Sequence, residues 1–563
     1  MHEVTSQHPN SPDTPKADDE RSPLLPKCTA SCVQKYTTTD ELSPQAISDE
    51  ISTAKLRWIM TSVWIGTFCA GLDASLIATL GSSIATEFDS LPLLAWLATA
   101  YLVATAATQP LAGKLTDIYS RRNGLLLSNF LFAAGNLICG LAQGPSTVIV
   151  GRALSGLGGG GLNTISTIIA SDLIPPRKRG LWQGIGSLFW GLGNGLGGVF
   201  GGFFNDTWDW RLAFLVQLPL TVASVVMICI HVEKPKVLAG KSLIKRVDFL
   251  GSSLLVTTLV LFLTGVNSGG NLVPWNHPLV LTALPVSALL LGAFIAVEEK
   301  VAREPIVPIS LILNRTVACA CLTNWFSIMI AYALYFYLVI FFRVRGLSAT
   351  TAGASLIPFS ITTAVGSLGA GFITSRTGRY WWLNMALLLL MVLATVLTAT
   401  VSLSTPVWTT MIFFGIAGIA MGGMVTVTLL ALSNAVAYEE QSLAISLSYA
   451  FRSTGSVIGV AIASTVFQNV LKGQLWSKFG QRENAAKLIG MIRDSLDAIQ
   501  LLPPPDQLVA KESYMLALQA VFLTLVGLAF LGLMSGLFIR EIKLHATQNR
   551  ESAHTEPVDY DYL

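Results

Sequence analysis

Gly113-Lys114-Leu115-Thr116-Asp117-Ile118-Tyr119-Ser120-Arg121-Arg122 joins two apolar runs, and Gly371-Phe372-Ile373-Thr374-Ser375-Arg376-Thr377-Gly378-Arg379-Tyr380 joins two others. Both strings open on glycine, end on basic residues, and lie between runs near 20 residues, the length of a helix that crosses a bilayer. Matching loops in two halves of a chain are the mark of an internally duplicated membrane protein. Working outward, fourteen apolar runs lie between residues 57 and 539, and the two loops follow the second and the tenth of them. Six helices belong to each half, so the runs at 249–267 and 278–297 are an insertion between them.

This reading gives an all-α integral membrane protein of two six-helix bundles plus two inserted helices. Its expected divisions are a disordered tail at 1–56, a first bundle at 57–232, the insert at 248–298, a second bundle at 316–540 with a polar loop at 471–513, and a short tail at 541–563. Composition agrees: 52% of residues are hydrophobic and 12% charged, about half the share in an ordinary soluble domain, and mean hydropathy is +0.60. A water-soluble enzyme is excluded. The net charge of +3 is spread over short loops with no patch that would track phosphates, so nucleic acid is not an expected partner. Five of the seven cysteines lie in apolar runs and two in the N-terminal tail, which implies neither a disulfide framework nor a metal site. Basic residues gather in alternate loops, such as Arg121 and Arg122, Arg177 to Arg179, and Arg376 and Arg379. By the positive-inside rule both termini are cytosolic.

Three charges lie well inside apolar runs: Asp73, Arg152 and Arg452. A charge at the bilayer centre costs about 2.5 to 3.5 kcal/mol on insertion scales, so each should face a cavity or a partner. Asp73 is the one acidic group there. A carboxyl that can be neutral or charged suits proton coupling, and Arg152, always charged, suits either a substrate carboxylate or an ion pair with Asp73. Asn324, Trp325 and Tyr332 on the ninth run join Arg452 as candidates for a substrate cavity, the rings by cation–π contact. Gly193, Gly197 and Gly201 recur every four residues and read as a packing face. Asn205-Asp206-Thr207 is a glycosylation pattern if its loop is accessible. No phosphate-binding Gly-x-x-x-x-Gly-Lys-Ser/Thr string occurs in the chain, so the expected energy source is a proton gradient, with no cofactor.

The first loop resembles the Gly-x-Leu-x-Asp-x-x-Gly-Arg-Arg pattern of the major facilitator superfamily at Gly113, Leu115, Asp117, Arg121 and Arg122, departing from it at Ser120, where glycine is usual. Gly151-Arg152 with Gly156, Gly158, Gly159 and Gly160 is similar to the family's arginine-and-glycine motif. Gly191 to Gly202 looks like its antiporter motif, with Gly198 in place of the proline. These strings place the resemblance in the fourteen-helix drug:proton antiporter branch. There Arg179 to Gly184, Trp210 to Pro219 and Phe451 to Gly455 look most like fungal vacuolar transporters of basic amino acids. The resemblance implies a gate at Gly113, Asp117, Arg121 and Arg122, and proton-coupled movement of lysine, arginine and histidine from cytosol into the vacuole. Glu20-Arg21-Ser22-Pro23-Leu24-Leu25 fits a dileucine adaptor signal for that compartment. A plasma-membrane drug or toxin efflux pump, and a non-transporting nutrient sensor on the same fold, are the competing readings.

Overall fold

A computed structural model describes residues 52–542 apart from 89–90, 233–247, 270–272, 274, 303–304, 307, 348, 483–484 and 495–501. The sorting signal expected at Glu20, Leu24 and Leu25 lies outside the described residues.

Each of the fourteen apolar runs lies in helix. The first half holds α1 (Thr53–Glu87), α2 (Leu91–Tyr119), α3 (Arg121–Gly140), α4 (Pro145–Leu173), α5 (Pro176–Thr207), and the broken pair α6 (Trp210–Leu215) and α7 (Gln217–His231). The break falls at Val216 because Pro219, in the first turn of α7, has no N–H for the carbonyl of Leu215. The insert is α8 (Phe249–Ser268) and α9 (Pro278–Lys300). After the short α10 (Ile309–Leu313), the second half holds α11 (Arg315–Val344), α12 (Ala349–Ala354), α13 (Ile357–Thr377), α14 (Trp381–Ala399), α15 (Val407–Asn434), α16 (Gln441–Phe479), α17 (Ala485–Asp494) and α18 (Pro504–Leu537). Eleven described segments are long and apolar enough to cross a membrane. The other three, α2, α4 and α5, have 29, 29 and 32 residues, but glycine, threonine and serine dilute their apolarity.

The polar loop expected at 471–513 is mostly helix. α16 runs on to Phe479, α18 starts at Pro504, and α17 buries Ala485, Ile489 and Ile492 while Tyr514 donates its hydroxyl to the Ile492 carbonyl at 2.6 Å. Mixed charge hid these turns. Their apolar residues recur at helical spacing on one face only, which lowers mean hydropathy without breaking the helix.

α1 packs on α5, and α4 on α2 and α3; in the second half α13 packs on α15, α11 on α16, and α14 on α18. The halves meet along α5–α13 and α2–α16, and α8 of the insert lies against α2 and α16 while α9 packs on α8 and α10. Both repeat loops begin at these crossings. A Cβ on Gly113 would strike the Ser442 carbonyl of α16, and one on Gly371 would strike the Gly180 carbonyl of α5. The first glycine of each loop is therefore where one half passes closest to the other.

Seven residues on, Ser120 has φ 97° and Gly378 φ 68°, so both loops turn into the next helix through positive φ. Glycine adopts this freely. Serine at φ 97° and ψ 151° occupies a region almost reserved for glycine, at a cost of about 1–3 kcal/mol, while its side chain caps the Asn123 N–H at 3.3 Å. Replacing a serine cap by glycine costs only a few tenths of a kcal/mol. Ser120→Gly is thus expected to raise stability by about 1 kcal/mol or more. A thermal melt of the purified protein checks this; an unchanged or lower midpoint would refute the strain.

Candidate functional site

The halves enclose a central cavity of about 1220 Å³, counted to its open mouth. Trp64, Thr67, Ala70 and Ala74 of α1 line it at intervals of three and four, and Trp182, Gly186 and Trp190 of α5 do so at intervals of four. That spacing places each set on one helix face. Opposite them stand Ile328 and Tyr332 of α11 and Tyr449, Arg452 and Ser453 of α16. Arg452 is the one charged side chain among the described lining residues. Its guanidinium lies 4.6 Å from the centre of the Tyr449 ring, a cation–π contact that fixes it in the wall. The wall facing it is aromatic, with Trp64 and Trp182 rings 5.7 Å apart and Trp64 stacked on Phe189 at 5.3 Å.

Asp73 and Arg152 are brought together elsewhere. Arg152 Nη1 donates to Asp73 Oδ2 at 2.6 Å, and the side chains are 1% and 0% exposed. Neither lines the cavity, because Tyr101 of α2 stands between: its ring lies 4.4 Å from the Arg152 guanidinium and its hydroxyl donates to the Ala70 carbonyl at 3.2 Å. The sequence-based expectation that these two charges would contact substrate is corrected here. Asp73 follows Cys69 and precedes Leu76 on a face of α1 turned into the first bundle, about 100° from the face that carries Ala70 and Ala74.

Two of the other cavity candidates are also elsewhere. Asn324 is 1% exposed, donates to Ser448 Oγ at 3.2 Å and accepts from Thr428 Oγ1 at 3.0 Å, tying α11 to α15 and α16. Trp325 packs on the backbone at Gly455 and edge-on to Phe451. Tyr332 and Arg452 do line the cavity. Gly193 and Gly197 set the α5 backbone against the Phe68 and Leu72 carbonyls of α1, and Gly201 sits against Thr79 and Leu76. Asn205 falls in the last turn of α5, half-buried, so the pattern at 205–207 is helix and not an open loop.

At the repeat-loop end the halves are bridged. Asp117 pairs with Arg121 and accepts from Ser442 of α16, while Arg121 Nε also donates to Asp172 Oδ2 at 2.9 Å. Arg122 donates to the Cys229 carbonyl at 3.0 Å, near the end of α7. Across the other crossing, Arg177 donates to the carbonyls of Ser375 and Arg376 at 2.8 and 3.0 Å. Gln441 Oε1 accepts from Ser171 and Arg179 at 3.1 and 3.2 Å, and Thr167 bonds Tyr449 at 2.7 Å just above. The sequence reading named Asp117 and the arginines of the first loop but not Asp172, Gln441, Ser442, Thr167 or Tyr101. Their partners are 51 or more positions away along the chain, or belong to the other half, so no local pattern marks them. The tryptophan spacing on α5 was a usable signal.

A cavity between two six-helix halves, shut at one end by repeated loops, is the plan of a transporter that alternates access between two sides of a membrane. Residues 63–460 match the family model described as Major Facilitator Superfamily. The chain belongs to that superfamily. It is 36% identical over 519 residues to the multidrug resistance protein fnx1 of Schizosaccharomyces pombe, covering 91% of this chain and 98% of that protein. It is 29% identical over 522 residues to the vacuolar membrane amino acid uptake transporter fnx2 of the same yeast, covering 92% and 90%. Among solved structures, the human organic anion transporter MFSD10 (TETRAN) aligns with TM-score 0.56 at 16% identity, over 85% of this chain and 99% of that one, which shows a shared fold. The protein is therefore a multi-pass membrane transporter of small molecules, and not an enzyme.

The bridged loop end gives a test within this frame. Asp117 touches the other half and Arg121, not the cavity. Asp117→Asn is expected to slow turnover several-fold while equilibrium substrate affinity stays within about threefold, roughly 0.7 kcal/mol. Binding and transport measured on the same vesicles check it, and a large affinity loss with normal turnover would contradict the gating role.

Proposed function

We propose that the protein carries basic amino acids from the cytosol into the vacuole in exchange for protons. The observation that supports this best is the cavity's pairing of one cation, Arg452, on the second half with the tryptophan wall of Trp64, Trp182 and Trp190 on the first. A substrate with a carboxylate at one end and an ammonium or guanidinium at the other fits both: the carboxylate takes the Arg452 fork, and the cation lies over the indoles. Such a substrate spans the two halves, so its presence bears on how they close. The Asp73–Arg152 pair carries the proton in this reading. Protonating Asp73 breaks the ion pair, and the freed Arg152 charge changes how α1 and α4 pack. The relative named for vacuolar amino acid uptake supports the substrate class and the compartment.

Uptake of labelled lysine, arginine and histidine by vacuolar vesicles, with and without the protein, tests the proposal. Protein-dependent, protonophore-sensitive accumulation is expected, and its absence for all three would sink the reading. The efflux alternative draws on the relative named for multidrug resistance and on the lack of a cavity carboxylate among the described residues. It predicts instead that an uncharged aromatic compound is exported from whole cells. Location has its own test in the tail: replacing Leu24 and Leu25 with alanine should divert a tagged protein to the plasma membrane, and unchanged vacuolar location would remove the adaptor from this account.

A further inference from the structure

Tyr101 is shared between two compartments. One side of its ring lines the central cavity, and the guanidinium of Arg152 lies 4.4 Å from its centre on the sealed side. Behind it the chamber holds two unsatisfied groups: Asp73 Oδ1 and Gln217 Oε1 have no hydrogen-bond partner, although both side chains are at least 99% buried. A carboxylate oxygen left bare in a membrane interior is costly unless something visits it. Only one tether is printed for the phenol, its hydroxyl on the Ala70 carbonyl at 3.2 Å, a bond to the helix that carries both Ala70 on the cavity face and Asp73 on the chamber face. Gly159 of α4 makes the room it occupies, since a Cβ there would come within 2.7 Å of the phenol oxygen.

We propose that Tyr101 is the door between the cavity and the Asp73–Arg152 chamber, and that its phenol must swing off Arg152 before water or a proton passes between them. This deepens the proposed function by naming the barrier on the proton route, and it rests on the reading of the pair as the coupling site. With the door shut, Asp73 is held ionised by Arg152 in a dry chamber; with it open, water reaches Oδ1 and the pair can separate. The bond to Ala70 makes the door sensitive to any movement of α1 relative to α2.

Cys69, one helical turn before Asp73 on the chamber face and 1% exposed, is a native reporter. The full chain is treated with 2-aminoethyl methanethiosulfonate, which forms a mixed disulfide with the cysteine thiolate and releases methanesulfinate, and the Cys69 peptide is followed by mass spectrometry. In the wild type Cys69 should stay unlabelled while a cysteine at the cavity-facing position, Thr67→Cys, reacts. Tyr101→Ala should raise the Cys69 rate at least tenfold. Tyr101→Phe keeps the ring and its packing but loses the tether, and should raise it about threefold. An unchanged Cys69 rate in Tyr101→Phe, with the Thr67→Cys control still reacting, overturns the door even if Tyr101→Ala does not fold. The readout needs no substrate, so it fails or holds separately from the substrate assignment.

Discussion

Asp73→Asn should abolish gradient-driven accumulation, a fall of at least a hundredfold, and should also destabilise the protein. The second effect follows from the geometry: with the carboxylate gone, a 1% exposed guanidinium is left without its counter-charge. Breaking one side of a buried ion pair costs about 3–5 kcal/mol, whereas removing both charges is often neutral. Loss of transport in the single variant therefore does not separate coupling from folding. The double variant Asp73→Asn with Arg152→Gln does. Its stability should return to within about 1–2 kcal/mol of the wild type, because no lone charge remains, while accumulation stays lost. Thermal stability and vesicle uptake, matched for protein amount, give the two readouts. Recovery of uptake along with stability would mean that the pair is structural and that the proton is handled elsewhere.

Arg452→Gln should lower lysine affinity by about 2–3 kcal/mol, roughly 30- to 150-fold, because it removes the charge that meets the substrate carboxylate. Stability should change little: the side chain is half-buried at a cavity wall, and Gln can still bond to water there. Arg452→Lys should keep part of the affinity, since a point charge remains without the two-pronged geometry. Equilibrium binding of labelled lysine to purified protein measures both. Unchanged lysine affinity in Arg452→Gln would remove the carboxylate anchor, and with it the main support for an amino acid substrate.

The fold was legible because its signals are local and repeated. Apolar runs of bilayer length mark the spans, and Gly113 and Gly371 mark matching loops in the two halves. The site was legible in part. Asp73 and Arg152 stand out because a charge in an apolar run must be answered by a partner, and they answer each other. Which face they turn to was not legible, because one residue along a helix rotates a side chain by about 100°. Asp73 and Ala74 are neighbours in sequence, and only Ala74 reaches the cavity. For the same reason Asn324 and Trp325 lie off the face that Ile328 and Tyr332 present. The groups that close the loop end, Ser442 and Gln441 against Asp117, Ser171 and Arg179, are ordinary polar residues that gain meaning only when the other half arrives.

The account's central claim is exchange of a basic amino acid for a proton through one carrier. Purified protein in liposomes with an acidic interior and a trapped pH dye tests it without any other vacuolar component. Adding lysine outside should make the interior more alkaline, at a rate that rises with lysine and vanishes in Asp73→Asn/Arg152→Gln liposomes. Lysine entry with no change in internal pH, or an alkalinisation that persists in the double variant, would contradict it.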